Sequence, residues 1–104
     1  MKHIMLVCNA GMSTSMLVTK MQKAAEETGV EATIWAVPVS EADNEVAQKE
    51  IDVLLLGPQV KFLLNDYKAK FEPTIKKVDA INMMDYGVMN GAKVLEAALK
   101  MMEG

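Results

Sequence analysis

Short apolar runs recur along the chain. Residues 2–7 form one such run without helical period, and residues 52–56 form another that is closed by Gly57. Short runs of this kind, bounded by turn residues, are typical of strands covered on both faces. Residues 32–37 are rich in β-favouring side chains, and residues 74–81 resemble a fourth, less apolar strand. The pattern therefore predicts four strands.

The segments between these strands place apolar residues at helical spacing. They predict helices over residues 15–28, 40–49, 60–70 and from residue 88 to the C-terminus. The predicted core stripe of the first helix is Met16, Leu17, Met21, Ala24 and Ala25, that of the third is Phe62, Leu63, Tyr67 and Phe71, and that of the last is Val88, Ala92, Leu95, Leu99 and Met102. Ser40, followed three residues later by Asp43, predicts a capping-box start for the second helix.

Alternating strands and helices with short connections predict a parallel sheet with right-handed crossovers. We expect residues 1–104 to form a single domain, a three-layer α/β/α sandwich around an open four-stranded parallel sheet. Ligands of such sheets bind outside the carboxyl ends of the strands, near a topological switch point. Residues 8–15 and 57–59 are therefore the predicted functional edge.

Composition narrows the possible functions. The chain has 104 residues, of which 51% are hydrophobic and 24% charged, as a folded domain requires. Its net charge is -3 and it contains no Arg, which argues against nucleic acid as a partner. The apolar runs are far shorter than the roughly 20 residues that span a bilayer. Cys8 is the only cysteine, so an internal disulfide framework, a CxxC pair and a multi-thiolate zinc site are excluded. We expect a cytoplasmic protein without a metal or cofactor.

The loop after the first predicted strand concentrates the candidate chemistry. A thiol there precedes a helix N-terminus, whose free amides and partial positive charge favour anions and the nucleophilic thiolate. Glycine permits close backbone approach, and short polar side chains add hydrogen bonds. We hypothesise that Cys8 accepts a phosphoryl group in a loop that consists of Asn9, Ala10, Gly11, Met12, Ser13, Thr14 and Ser15.

Two other classes of protein have related patterns. A small cysteine phosphatase or an arsenate reductase on this scaffold is the main alternative, but a cysteine phosphatase uses an Arg six positions after its nucleophile, and Thr14 stands there. A receiver module needs an acidic phosphoacceptor after the third strand, where this chain has Gly57. A thiol that takes up a phosphoryl group without passing it readily to water is a carrier, and we favour that interpretation.

Three motifs resemble one bacterial family. CNAGMSTS at residues 8–15, LLLGPQV at residues 54–60 and DYG at residues 85–87 are similar to the IIB components of the sugar phosphotransferase system (PTS), in the lactose, cellobiose and chitobiose family. The resemblance covers nearly the whole chain. It implies a four-stranded parallel sheet, with Cys8 as the phosphocysteine and residues 9–15 as its phosphate loop.

The resemblance also implies an activity and partners. The family's cysteine takes a phosphoryl group from a phosphohistidine of the IIA component and passes it to a sugar held by the membrane component IIC. The chain would then be a protein-phosphocysteine–sugar phosphotransferase that meets the membrane only through IIC. The sugar expected is a β-linked disaccharide such as cellobiose, chitobiose or lactose.

Three further residues are candidates for partner contact. Gln59 either contacts a partner or orders the site, unless it belongs to a simple turn. Tyr86 either closes over the phosphocysteine or meets a partner, with packing as the alternative. Met12 is expected to point outward and to form part of an apolar docking face for IIA and IIC, because Met suits a surface that serves two partners.

Overall fold

The computed structural model describes residues 2–9 and 12–103. The strands are β1 (Lys2–Cys8), β2 (Ala32–Pro38), β3 (Val53–Leu56) and β4 (Lys77–Ala80). The helices are α1 (Met12–Thr28), α2 (Val39–Gln48), α3 (Leu64–Phe71), α4 (Met83–Gly87) and α5 (Gly91–Glu103), with a 3-10 helix at Pro58–Leu63. Within these described ranges, no helix has both the length and the apolar character needed to cross a membrane.

The four strands form one parallel sheet in the order β2-β1-β3-β4. Val7 of β1 pairs with Val37 on one side and with Leu56 on the other. The predicted four-stranded parallel sheet is thereby confirmed. The strand order reverses between β1 and β3, so the carboxyl ends of these two strands flank the topological switch point.

Side chains of β1 alternate between two cores, as the period of a strand requires. Ile4 and Leu6 pack with α1, α4 and α5 on one side of the sheet, which we call the α1–α5 face. Met5 and Val7 pack with α2, the 3-10 helix and α3 on the opposite side, the α2–α3 face. Helices cover both faces of the sheet, as predicted, and each core stabilises the sheet by removing apolar surface from water.

Two predicted helix starts need correction. Helix α1 begins at Met12 rather than near residue 15, because its first turn is anchored by the fully buried Thr14. Helix α2 begins at Val39 directly after β2, with Pro38 as its N-cap in extended backbone and no side-chain cap bond. Ser40 therefore lies inside the helix, and the predicted capping box is wrong.

The C-terminal half contains two elements that apolar spacing did not predict. The region after β3 starts as a 3-10 helix and becomes α3 only at Leu64. Helix α4 spans five residues, too few to show a period. Its signal was local: the Asn82 side chain accepts hydrogen bonds from the backbone N–H groups of Met84 and Asp85, at 2.9 and 3.1 Å.

Several residues expected in the core are exposed. Met16, Phe62 and Val88 are 59%, 79% and 71% exposed, and Ala92 is exposed as well. Val88 was predicted to belong to the last helix, but α5 starts only at Gly91. Val88 therefore lies before the helix and is not part of its buried side. The residues that α5 buries are Gly91, Val94, Leu95 and Ala98.

Candidate active site

Cys8 ends β1 and lies at the carboxyl edge of the sheet. It is paired with Pro38 of β2, is only 3% exposed, and has its Sγ 4.0 Å from the carbonyl oxygen of Val37. The hydrophobic run of β1 favours a strand over these residues, and the pairing of that strand determines where the Cys8 thiol lies. The sequence correctly predicted Cys8 at this edge.

Gly57 follows β3 and packs beside Cys8. Its N–H donates to the Val7 carbonyl at 2.9 Å, which continues the β1–β3 pairing beyond the strand. A Cβ at position 57 would lie 3.8 Å from the Cys8 Cβ and only 3.0 Å from the Gln59 Oε1. A larger residue at position 57 would therefore require the end of the Gln59 side chain to shift.

The N-terminus of α1 lies four residues beyond Cys8 in the chain. The first N–H groups of a helix have no intrahelical acceptor and point back along the chain, here toward the loop from Cys8. Ala10 and Gly11 lie outside the described residues, as do the side chains of Met12 and Ser13. The roles predicted for these four residues stay predictions.

The polar residues on either side of this loop have different surroundings. Asn9 is exposed at a bend, and Ser15 is an exposed residue of α1. Thr14, by contrast, is fully buried, and its Oγ1 forms a hydrogen bond of 3.0 Å with the Tyr86 hydroxyl. The side chain of Thr14 thus points into the protein, while its backbone belongs to the first turn of α1.

Tyr86 connects Thr14 to Gln59. Its hydroxyl accepts a hydrogen bond of 3.1 Å from the Gln59 Nε2, and its ring is 7% exposed within the core of the α1–α5 face. These contacts favour packing and bridging as the role of Tyr86, and its contact with a partner stays a prediction. Gln59 itself is exposed, so its side chain is accessible from outside.

Comparison with known proteins assigns the chain to a family. The sequence profile described as "PTS system, Lactose/Cellobiose specific IIB subunit" matches residues 3–97, a range that includes every predicted site residue. The chain belongs to this family. The resemblance noted from its motifs is thereby confirmed, and this IIB component is part of a phosphotransferase system for sugar transport that also has IIA and IIC components.

Named relatives agree with this assignment. The chain is 49% identical to the galactose-specific EIIB component of Lactococcus lactis subsp. cremoris, with 97% of this chain and 96% of the relative covered. It is 48% identical to the cellobiose-specific EIIB component of Lactococcus lactis subsp. lactis, with the same coverage.

A solved structure extends the agreement to the fold. The solution structure of the cellobiose-specific IIB component from Borrelia burgdorferi superposes with a TM-score of 0.77 at 40% identity. The match covers 98% of this chain and 92% of that one. The fold of this chain is therefore that of a IIB domain.

Proposed function

We propose that Cys8 of this IIB component carries a phosphoryl group from a phosphohistidine of IIA to a sugar bound to IIC. The observation that carries the proposal is the position of Cys8: it ends β1 beside Gly57 and precedes the first residue of α1 by four positions. A nucleophile in that position faces free backbone N–H groups that can meet the oxygens of a phosphoryl group.

In the first transfer, the Cys8 sulfur attacks the phosphorus of the phosphohistidine. An S–P bond forms while the N–P bond breaks, and the imidazole nitrogen keeps the electron pair of the broken bond. The proton lost by the thiol ends on that imidazole, so charge and atoms balance. The N-terminus of α1 stabilises the incoming negative charge, because its dipole and its unpaired N–H groups favour anions.

In the second transfer, a sugar hydroxyl attacks the phosphorus of phosphocysteine. An O–P bond forms, the S–P bond breaks, and the hydroxyl proton is returned to the thiol. The chain is regenerated unchanged, which makes it a protein-phosphocysteine–sugar phosphotransferase acting in the cytoplasm, where a free thiol persists.

The composition of the chain supports a carrier over a hydrolase. The sequence contains no Arg, so no guanidinium of its own can clamp the equatorial oxygens of a transition state. Because phosphoryl transfer depends mainly on positioning and charge stabilisation, we infer that the missing positive charge comes from the partner that supplies or accepts the group. Transfer to water then remains slow between the two encounters.

The sugar we propose is a β-linked disaccharide of the cellobiose, chitobiose or lactose kind. The family is described as lactose/cellobiose specific, while relatives of nearly equal identity are named for galactose and for cellobiose. Overall identity therefore does not separate these sugars. We infer that sugar specificity resides mostly in IIC, which binds the sugar.

Intact-mass spectrometry tests the carrier function. The chain and its Cys8→Ser variant are incubated with phosphoenolpyruvate, the general phosphotransferase proteins and a matched IIA. We expect one added phosphoryl group on the wild type only, persisting after the donor is removed and lost when IIC and its sugar are added. Serine is the matched control, because it keeps the size of the side chain and replaces the thiol. No adduct in the presence of phosphorylated IIA would overturn the proposal and would make turnover of an aryl phosphate the next measurement.

A further inference from the structure

Three hydrogen-bonding side chains join the segments that follow β1, β3 and β4. Thr14 lies in the first turn of α1, Gln59 in the 3-10 helix and Tyr86 in α4. The Tyr86 hydroxyl is the shared atom, at 3.0 Å from the Thr14 Oγ1 and 3.1 Å from the Gln59 Nε2. The three segments follow the carboxyl ends of their strands, at the edge of the sheet where Cys8 ends β1.

The bond to Tyr86 anchors the first turn of α1. Thr14 is fully buried, so its hydroxyl has no access to bulk water and depends on a protein partner. Tyr86 supplies that partner from an element 72 residues away in the chain. Removal of the Tyr86 hydroxyl would leave the Thr14 hydroxyl without this bond and would release the first turn of α1.

The bond to Gln59 connects the same hydroxyl to the other side of Cys8. The Gln59 Nε2 donates to Tyr86 while its Oε1 occupies the space beside Gly57. Gly57 in turn lies beside Cys8, because a Cβ added there would be in ordinary van der Waals contact with the Cys8 Cβ, at 3.8 Å. The position of Gln59 is therefore coupled to the backbone that flanks the thiol.

We propose that Tyr86 is a positioning residue for phosphoryl transfer, fixing the distance between the first turn of α1 and the Gly57 side of Cys8. The inference rests on the proposed function of Cys8 and adds a residue that never touches the phosphoryl group. Because the barrier to transfer is sensitive to displacements of about 1 Å, a lost anchor slows the chemical step without weakening the encounter with the donor.

The test is single-turnover transfer from phosphorylated IIA, measured over a range of IIA concentrations. For Tyr86→Phe we expect the limiting rate to fall about tenfold while the half-saturating concentration of IIA stays unchanged. Thr14→Val should lower the limiting rate similarly, and Thr14→Ser should restore it because the hydroxyl returns. The Tyr86→Phe, Thr14→Val double variant should be no slower than Tyr86→Phe, since the bond that Thr14→Val removes is already lost in Tyr86→Phe.

Tyr67→Phe is the matched control. Tyr67 is the other tyrosine of the chain, is buried to the same extent, and packs on the α2–α3 face away from the network. Tyr67→Phe removes a hydroxyl outside the network, so the limiting rate and the half-saturating concentration of IIA should both stay unchanged. Melting temperatures of all variants separate lost stability from lost positioning.

Three results would overturn the proposal: an unchanged limiting rate for Tyr86→Phe, a change confined to half-saturation, or equal slowing in Tyr67→Phe. Each of these leaves the carrier function intact, provided that the wild type is phosphorylated at Cys8. A wild type that takes up no phosphoryl group, by contrast, overturns the proposed function and this inference together.

Discussion

Tyr67 and Tyr86 are both buried, yet their hydroxyls lie in different surroundings. Tyr86 accepts a hydrogen bond from Gln59, as described above. The ring of Tyr67 packs edge-on against Phe71, with ring centroids 5.1 Å apart. Burial raises the pKa of Tyr67 above its ordinary value of 10.0, and the negative charge of Asp43 raises it further. The fold therefore favours the neutral phenol at this position.

This raised pKa predicts a loss of stability in alkali. In the unfolded chain Tyr67 ionises near pH 10, whereas in the folded chain it holds its proton to higher pH. Its contribution to stability is present below the unfolded pKa and is lost as pH rises through the folded one. We expect Tyr67→Phe to lose less free energy of unfolding than the wild type between neutral pH and pH values above about 10, measured by urea unfolding. Equal losses in both proteins would contradict the assignment, because the two proteins differ only at residue 67.

At the scale of elements, α1 and α5 pack closely where Gly91 faces Lys20. A Cβ added to Gly91, the first residue of α5, would lie 2.5 Å from the carbonyl carbon of Lys20 and 2.7 Å from the backbone nitrogen of Met21. These neighbours are backbone atoms of a long helix and cannot rotate away. The absence of a side chain at Gly91 thus sets how closely the two helices pack on the α1–α5 face.

Gly91→Ala should therefore destabilise the protein. Overpacking forces α5 away from α1, and we expect a loss of about 1–3 kcal/mol in the free energy of unfolding. Gly87→Ala is the matched control, because a Cβ there meets nothing within 4 Å. That variant should be neutral or slightly stabilised, since Ala is the better helix former by up to about 1 kcal/mol. Urea unfolding of both variants checks the prediction, and equal stabilities would show that α5 shifts without cost.

Strands with a continuous apolar run were predictable from the sequence, and the short helix α4 was not. The runs at β1 and β3 are apolar because both faces of these strands are covered, so their burial was visible as composition. Helix α4 is held by the Asn82 cap and by tertiary contacts of Tyr86, neither of which produces a period. Phe62 was predicted to be part of a helix core, but it lies in the 3-10 helix and its side chain is exposed to solvent.

At the scale of the whole molecule, the candidate site is assembled from segments distant in sequence. The alternation of strands and helices predicted that Cys8 and Gly57 share one edge, because the carboxyl ends of parallel strands meet there. It did not predict the bond between Thr14 and Tyr86, which depends on how α4 is seated against α1. This hydrogen bond depends on how the helices pack against one another on the sheet, so no local sequence pattern predicts it.

The sheet separates the two cores, and its strands contribute side chains to both of them. Leu6 is fully buried on the α1–α5 face. Trp35, the only tryptophan, packs against the α2–α3 face, and its Nε1 donates to the Glu45 Oε1 at 2.9 Å. Its fluorescence therefore reports on the core that lies opposite Leu6.

Leu6→Ala tests whether the two cores unfold as one unit. Deletion of a fully buried leucine side chain should cost about 2–5 kcal/mol, a large part of the stability of a small domain. Because both cores share β1, we expect the urea transition monitored by Trp35 fluorescence to shift as far as the transition monitored by far-ultraviolet circular dichroism. Met84→Ala, at a side chain 80% exposed, is the control and should shift neither. A Trp35 transition that stays at the wild-type midpoint while the circular dichroism transition moves would show that the α2–α3 face keeps its packing without the other core, so that the sheet does not couple them.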